Sequence, residues 1–358
     1  MDLKENSAKN RIYSFDIMRI IAICAVILLH ISADYVKSFP NNSLDFISNN
    51  LLNSLTRFAV PTFFMISGAL MLNEDKKLST KKILHAAGNL FILLIVWSVF
   101  YSISYYVIKP LVFNEDIAAS AIFFAVYNGH YHMWYLFVLI GLYLITPILR
   151  TFIKRENLPL ITVYLVLSIV IRFCVPFIDE LIYQFTSWEN LLSDYIAKYR
   201  IDYIYEYITY YIAGWYILTA EIKNHHRITL YVGGLLGYLG TFVLTQLFFD
   251  NTHGESNFFY ANNSLNVFLY SIGMFTFLHH IFKNKNFLKT SIISKISSFV
   301  FGVYIIHPVF LFVFKTLFRN IGHSPLETLI IFFSATATSF LSVFAISKIP
   351  VIKKLIRG

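Results

Sequence analysis

The stretch Phe15-Asp16-Ile17-Met18-Arg19-Ile20-Ile21-Ala22-Ile23-Cys24-Ala25-Val26-Ile27-Leu28-Leu29-His30 places an arginine and a histidine inside one apolar run, ten residues between them. Eleven helical steps turn through about 1100°, which returns both side chains to within roughly 20° of one face, about 16 Å apart along the axis. That rise is close to half the hydrocarbon thickness of a bilayer. Ionisable groups at such depth face a bundle interior or a watery cavity, because lipid solvates them poorly. Two readings fit this run by itself: a polar stripe looking into a site, or a snorkelling arginine with a satisfied core histidine.

Three further apolar runs carry groups of the same kind. Arg57 heads Arg57-Phe58-Ala59-Val60-Pro61-Thr62-Phe63-Phe64-Met65-Ile66-Ser67-Gly68, which ends in residues small enough for close helix contact. His132 and Trp134 open the run from His130 to Leu136, and His307 lies in Phe301-Gly302-Val303-Tyr304-Ile305-Ile306-His307-Pro308. If successive spans alternate in direction, His30, Arg57, His132 and His307 converge in the outer half of one bundle. A neutral imidazole there can deprotonate a hydroxyl, and an arginine can hold a developing oxyanion. Asp34, one turn past His30, is placed to orient its ring. Each group also has a plain structural reading. Arg57 could pair with an acid, His132 and Trp134 could form an interfacial belt, His307 could cap a helix broken at Pro308, and Asp34 could be a solvated helix end. On the opposite side, Lys76, Lys77, Lys81, Lys82, Arg150, Lys154 and Arg155 gather at the ends of three runs. Such a patch suits a phosphate-bearing donor, or reflects topology alone.

The elements that must position these groups are membrane helices. Only 14% of the 358 residues are charged and 57% are hydrophobic, with mean hydropathy +0.62, where a water-soluble chain carries about a quarter charged residues. Ten runs have the length of a spanning helix, near 15–35, 51–72, 84–108, 132–150, 158–178, 203–221, 228–249, 263–282, 296–318 and 326–348. They are too long for barrel strands, so the expected fold is an all-α polytopic bundle. With the N terminus placed inside, the inner segments hold 20 Lys and Arg and the outer ones five, which predicts both termini in the cytoplasm. The net charge of +9 follows from those loops, and no nucleic acid is implied. One domain, 1–358, is expected, with its core at 10–350 and short cytoplasmic tails. Ile117 to Val126 is too short to span and reads as interfacial or re-entrant. Residues 179–202 could cover an outward-facing cleft. Cys24 and Cys174 give no metal spacing and no metal site is expected. A P-loop, a Gly-x-Gly-x-x-Gly stretch, a His-Glu-x-x-His motif and a Gly-x-Ser-x-Gly elbow are absent, which weakens ATP-driven transport and the soluble hydrolase mechanisms.

These residues resemble acyltransferase family 3, the integral-membrane O-acyltransferases of bacterial surface glycans. The resemblance covers nearly the whole chain. It rests on Asp16, Arg19 and His30, on Val60-Pro61, Phe64 and Ser67-Gly68, on His132-Met133-Trp134-Tyr135-Leu136, and on Gly302-Val303-Tyr304-Ile305-Ile306-His307. It implies acyl transfer from cytoplasmic acyl-CoA, commonly acetyl-CoA, to a hydroxyl of an extracytoplasmic or lipid-linked glycan at the cell membrane. His30, Arg19 and Arg57 would then be catalytic. His132, Trp134, His307 and Asp34 would meet the acceptor. Lys81, Lys82 and Arg150 would meet the donor, which is a co-substrate and not a bound cofactor. Where relatives carry a further arginine three residues after the basic pair, this chain has His85 nearby. Two rivals remain: a transporter or flippase for a glycan precursor, whose paired halves the sequence does not show, and a scaffold for a polysaccharide synthase.

Overall fold

The computed structural model describes residues 12–113, 119–199, 206–220, 222–249, 258–283, 290–318, 325–350 and 352–356. Every regular element among them is helical, and nine helical stretches are long and apolar enough to cross a membrane. Lipid offers the backbone no partners, so each span must satisfy its own N–H and C=O groups. The helices are α1 (Tyr13–Ser38), α2 (Leu44–Thr56), α3 (Ala59–Met71), α4 (Thr80–Phe113), α5 (Ala119–Asn128) and α6 (Trp134–Phe152). Next come α7 (Leu158–Ile169) and α8 (Val175–Thr186), then α9 (Leu191–Ala197), α10 (Glu206–Thr219), α11 (Asn224–Phe248) and α12 (Leu265–Phe282). The last are α13 (Thr290–Ser297), α14 (Val300–Leu317) and α15 (Pro325–Ile346). At the centre stands α1, packed against α2, α3, α12, α13, α14 and α15.

Four local features depart from the expected spans, each for a physical reason. The second span starts at Leu44, where Ser43 caps it by accepting the Phe46 N–H at 3.1 Å. It is two helices, α2 and α3, broken at Arg57 and Phe58. Pro61 causes the break: its ring has no N–H for the carbonyl four residues back, which is that of Arg57, and clashes with it. The piece from Ile117 to Val126 begins outside the described residues. Its remainder, α5, ends at Gly129 in a left-handed conformation (φ +71°) that glycine adopts without strain. The chain then turns into α6, so that 123–152 reads as one spanning stretch.

The third departure is α10, the described part of the run near 203–221. It has 14 residues and falls short of the nine spans, its beginning lying outside the described residues. It is an interior helix, with Tyr210, Tyr211 and Trp215 at most 2% exposed. Glycines let it touch α3 backbone to backbone. A Cβ on Gly68 would sit 1.8 Å from the Tyr211 carbonyl oxygen, and one on Gly214 would sit 2.0 Å from that of Met65. Fourth, the chain past residue 350 is not a free tail. Its turn Ile352–Ile356 packs on the bundle, with Ile356 buried and the Trp97 Nε1–H donating to the Leu355 carbonyl at 2.8 Å. Residues 179–199 build α8 and α9, joined by Asp179, which accepts the N–H groups of Leu192 (2.8 Å) and Ser193 (2.7 Å).

Candidate active site

A cavity of about 940 Å³ lies inside the bundle. Since α1 lines it with Arg19, Val26, Leu29 and His30, it follows that helix for about 16 Å. The remaining wall is shared. The second span gives Arg57, Val60, Phe63, Ile66, Ser67 and Met71, and α4 gives Ala86, Asn89 and Leu90. His132, Trp134, Tyr135, Leu139 and Tyr143 come from α6 and the turn before it, and Asn262 and the α13–α14 segment complete it. Among the described residues, two arginines, two histidines and no Asp or Glu line this space. The field favours anions most where an arginine has no carboxylate beside it. No residue of 179–199 reaches the lining.

At the His30 end, aromatic rings form a cluster. The His30 ring stacks on His307 (centroids 5.4 Å, 16° between planes) and meets Tyr131 edge-on at 5.0 Å. His132 stands edge-on to His307 at 5.5 Å, and its Nδ1 lies 2.8 Å from the Nδ1 of His130. His307 is fully buried behind the wall and is not a lining residue. Its neighbour Pro308 explains much of its geometry. Pro308 lacks the N–H that would bond the Tyr304 carbonyl, and His307 Nδ1 takes that carbonyl at 2.7 Å instead. A carbonyl only accepts, so Nδ1 carries the proton, which leaves Nε2 as an acceptor, buried and without a hydrogen bond. The helix runs through Pro308 unbroken.

Arg57 occupies the break between α2 and α3 and lines the cavity. The acid it could have paired with is not there among the described residues. Its Nε donates to Asn53 Oδ1 at 2.8 Å and its Nη2 to the same oxygen. Its Nη1 donates to the Tyr260 carbonyl at 3.0 Å, and the guanidinium lies 4.0 Å above the Tyr260 ring. Trp134 is in the wall too, beside Tyr207 (5.6 Å) and Phe64 (6.4 Å). Asp34 is not. Its carboxylate pairs with Lys315, and Lys315 Nζ also donates to the His30 carbonyl at 3.1 Å. The expectation that Asp34 orients the His30 ring gives way to this: it is exposed, outside the lining, and meets His30 through a lysine bound to the His30 main chain.

The Arg19 end is built differently. Arg19 pairs with buried Asp16 at 3.3 Å, and Asp16 also accepts from Ser297 Oγ at 2.8 Å. Lys76 is half-buried near Arg19, and burial together with that neighbour pushes its amine below the usual lysine range. Arg150 lies outside the lining. It donates to three main-chain carbonyls, those of Met71 (2.6 Å), Asn73 (3.0 Å) and Lys76 (2.8 Å), and so closes the loop after α3. Three of its five donors are thus held inside the protein, away from the cavity lining. Arg155 is likewise taken, by Glu74 (3.1 Å) and Asp75 (2.6 Å). Lys81 and Lys82 are exposed at the start of α4, outside the lining. Lys82 precedes Ala86 and Asn89 by four and seven residues, on the helix face that enters the cavity.

Sequence reasoning missed Asn53, Tyr260, Tyr143, Asn262 and Lys315. A signal for Asn53 exists: Asn49, Asn53 and Arg57 recur every four residues, a polar stripe on one helix face. Starting the span at residue 51 hid it.

The acyltransferase domain family matches residues 12–348, nearly the whole chain and every residue of the cavity wall. No curated protein and no solved structure matches it. With this family match, and with nine helical stretches among the described residues long and apolar enough to cross a membrane, the chain belongs to acyltransferase family 3, as a multi-pass membrane member of it.

Proposed function

We propose that this protein is an O-acyltransferase of the cell membrane. It moves an acyl group, acetyl in the first instance, from acyl-CoA to a hydroxyl of a cell-surface or lipid-linked glycan. One observation carries the reading: Arg19, His30 and Arg57 line a single cavity whose described lining has no carboxylate. The positive-inside bias puts the Arg19 end toward the cytoplasm. Acyl-CoA enters there, its phosphates near Lys82 and Lys76, its thioester reaching inward along α1. The acceptor comes from the opposite end, its sugar ring against Trp134.

The step balances without a bound cofactor. The acceptor hydroxyl gives its proton to His30 as its oxygen attacks the thioester carbon. Negative charge builds on the carbonyl oxygen, and Arg57 faces it. The carbon–sulfur bond then breaks, and the coenzyme A thiolate takes the proton back from His30. Both the acceptor oxygen and the thioester carbon must sit beside one imidazole, which a cavity shared by several spans allows.

The test is a His30→Ala protein that still inserts in the membrane. Its glycans should lose the acyl group in mass spectra of the host surface, and the purified protein should stop releasing coenzyme A. Normal acylation by this variant removes the mechanism. Glycan-precursor flux in proteoliposomes with no acyl transfer favours a flippase instead.

A further inference from the structure

Asn53 lies one helical turn before Arg57, with no part of it exposed. All four of its hydrogen-bonding positions are used. Oδ1 accepts twice from the Arg57 guanidinium. Nδ2 donates to the Leu29 carbonyl at 3.2 Å and to Ser32 Oγ at 3.0 Å. The amide can take only this orientation, because a guanidinium only donates and a carbonyl only accepts. One small side chain thus ties Arg57, on the second span, to the residue that precedes His30 on the first.

The choice of an amide is informative. Aspartate has the same shape and would also accept from Arg57, but it would cancel the charge and offer no N–H to the Leu29 carbonyl. At the other end of the cavity this same chain does use a carboxylate, giving Arg19 its partner Asp16. Arg57 is held instead by an amide oxygen, a main-chain carbonyl and an aromatic face, all of them neutral. A partly buried cation with no counter-ion among the described residues is unfavourable unless hydrogen bonds and ring contacts offset it. The arrangement keeps the positive charge directed at what enters the cavity.

We infer that Asn53 is a positioning residue: it fixes Arg57 beside His30 while leaving the guanidinium charge uncompensated for the transition state. This rests on the roles given above to His30 and Arg57. Asn53 itself touches no substrate.

The experiment compares Asn53→Asp, Asn53→Ala and Arg57→Ala in detergent-solubilised full-length protein. The donor is acetyl-CoA, the acceptor is host membrane extract, and the readout is coenzyme A thiol release beside thermal stability. Asn53→Asp gives up the donated bond to the Leu29 carbonyl and should lower the Tm, while its rate per folded molecule at saturating acetyl-CoA falls roughly tenfold to a hundredfold. Its KM for acetyl-CoA should stay within about twofold, since neither bound thioester nor donor phosphates depend on that charge. Asn53→Ala should lose both Tm and rate. A near-normal rate for Asn53→Asp overturns the inference. So does a loss in both variants that tracks the fall in Tm, with the rate per folded molecule unchanged. If Asn53→Asp does not accumulate, Asn53→Ser decides. It keeps a neutral acceptor and drops the tie to Leu29, so a loss of about tenfold at normal Tm supports positioning and an unchanged rate refutes it. A slow Arg57→Ala beside a fast Asn53→Asp removes only this inference. A fast Arg57→Ala removes the reading of Arg57 on which it rests.

Discussion

At one end of the cavity Arg19 faces a buried carboxylate 3.3 Å away, and at the other Arg57 is gripped by an amide, a carbonyl and a ring. Both are arginines in apolar spans, and both line the same space. The difference is in what their charge is left to do. A cation paired with Asp16 has most of its field cancelled and serves as a fixed hydrogen-bond donor at an entrance. A cation held only by neutral groups keeps its field. Near His30 that field is where an oxyanion would form. Arg150 is the third case, a cation outside the lining that gives three of its five donors to carbonyls of its own chain.

That contrast can be broken at several points, the largest effect first. His30→Ala should lower transfer by about a thousandfold, read as acyl-glycan formed per inserted molecule, because it removes the imidazole that takes the hydroxyl proton; a rate near normal would pass that role to His132, the other lining imidazole. Arg57→Ala should cost about a hundredfold in kcat, and Arg57→Lys should not restore it, since an ammonium cannot reproduce the fork that meets Asn53 and Tyr260. Steady-state rates at saturating acetyl-CoA measure this, and a lysine variant at normal speed would show that point charge alone suffices. Arg19→Ala should act on binding more than chemistry, raising the KM for acetyl-CoA about tenfold with kcat within a few-fold. A loss confined to kcat would erase the distinction between the two ends. Lys82→Ala should raise that KM by only about twofold, with the effect fading in high salt, as for an exposed charge. Arg150→Ala should lower the Tm of the solubilised protein and leave the KM alone, and a changed KM would return Arg150 to the donor site.

Much of this was readable in order along the chain. The spacing of Arg19 and His30 puts both on one face of α1 whatever surrounds them, and both do line the cavity. The apolar runs had to be helices, and they are. His132 and Trp134 also reach the wall, from the turn and helix where they were expected. Contacts across the bundle were a different matter. Asp34 is one turn from His30 in sequence, yet it pairs with Lys315 from α14, because a nearby cation attracts a carboxylate more strongly than a neutral ring does. Arg150 and Lys81 looked alike as members of one basic patch. Only the fold brought loop carbonyls to the first and left the second in the open. The run near 203–221 read as one more spanning helix, with nothing to say which face it showed; its described part is interior, because Gly68 and Gly214 let two backbones meet.

Composition and period alone determined that this is a helical membrane protein and which residues share a face of α1, while the break at Pro61 and the unbroken helix at Pro308 came from the structure. The first two follow from properties of the local chain: 3.6 residues per turn and the cost of polar groups in lipid. What the tertiary structure decided is which charge is cancelled and which is left. Ion pairs and hydrogen bonds act over a few ångströms, and the partners of Arg57, Asp34 and Arg150 include residues from 74 to 281 positions away. Only packing α2, α6 and α14 into the same bundle settles whether those groups meet.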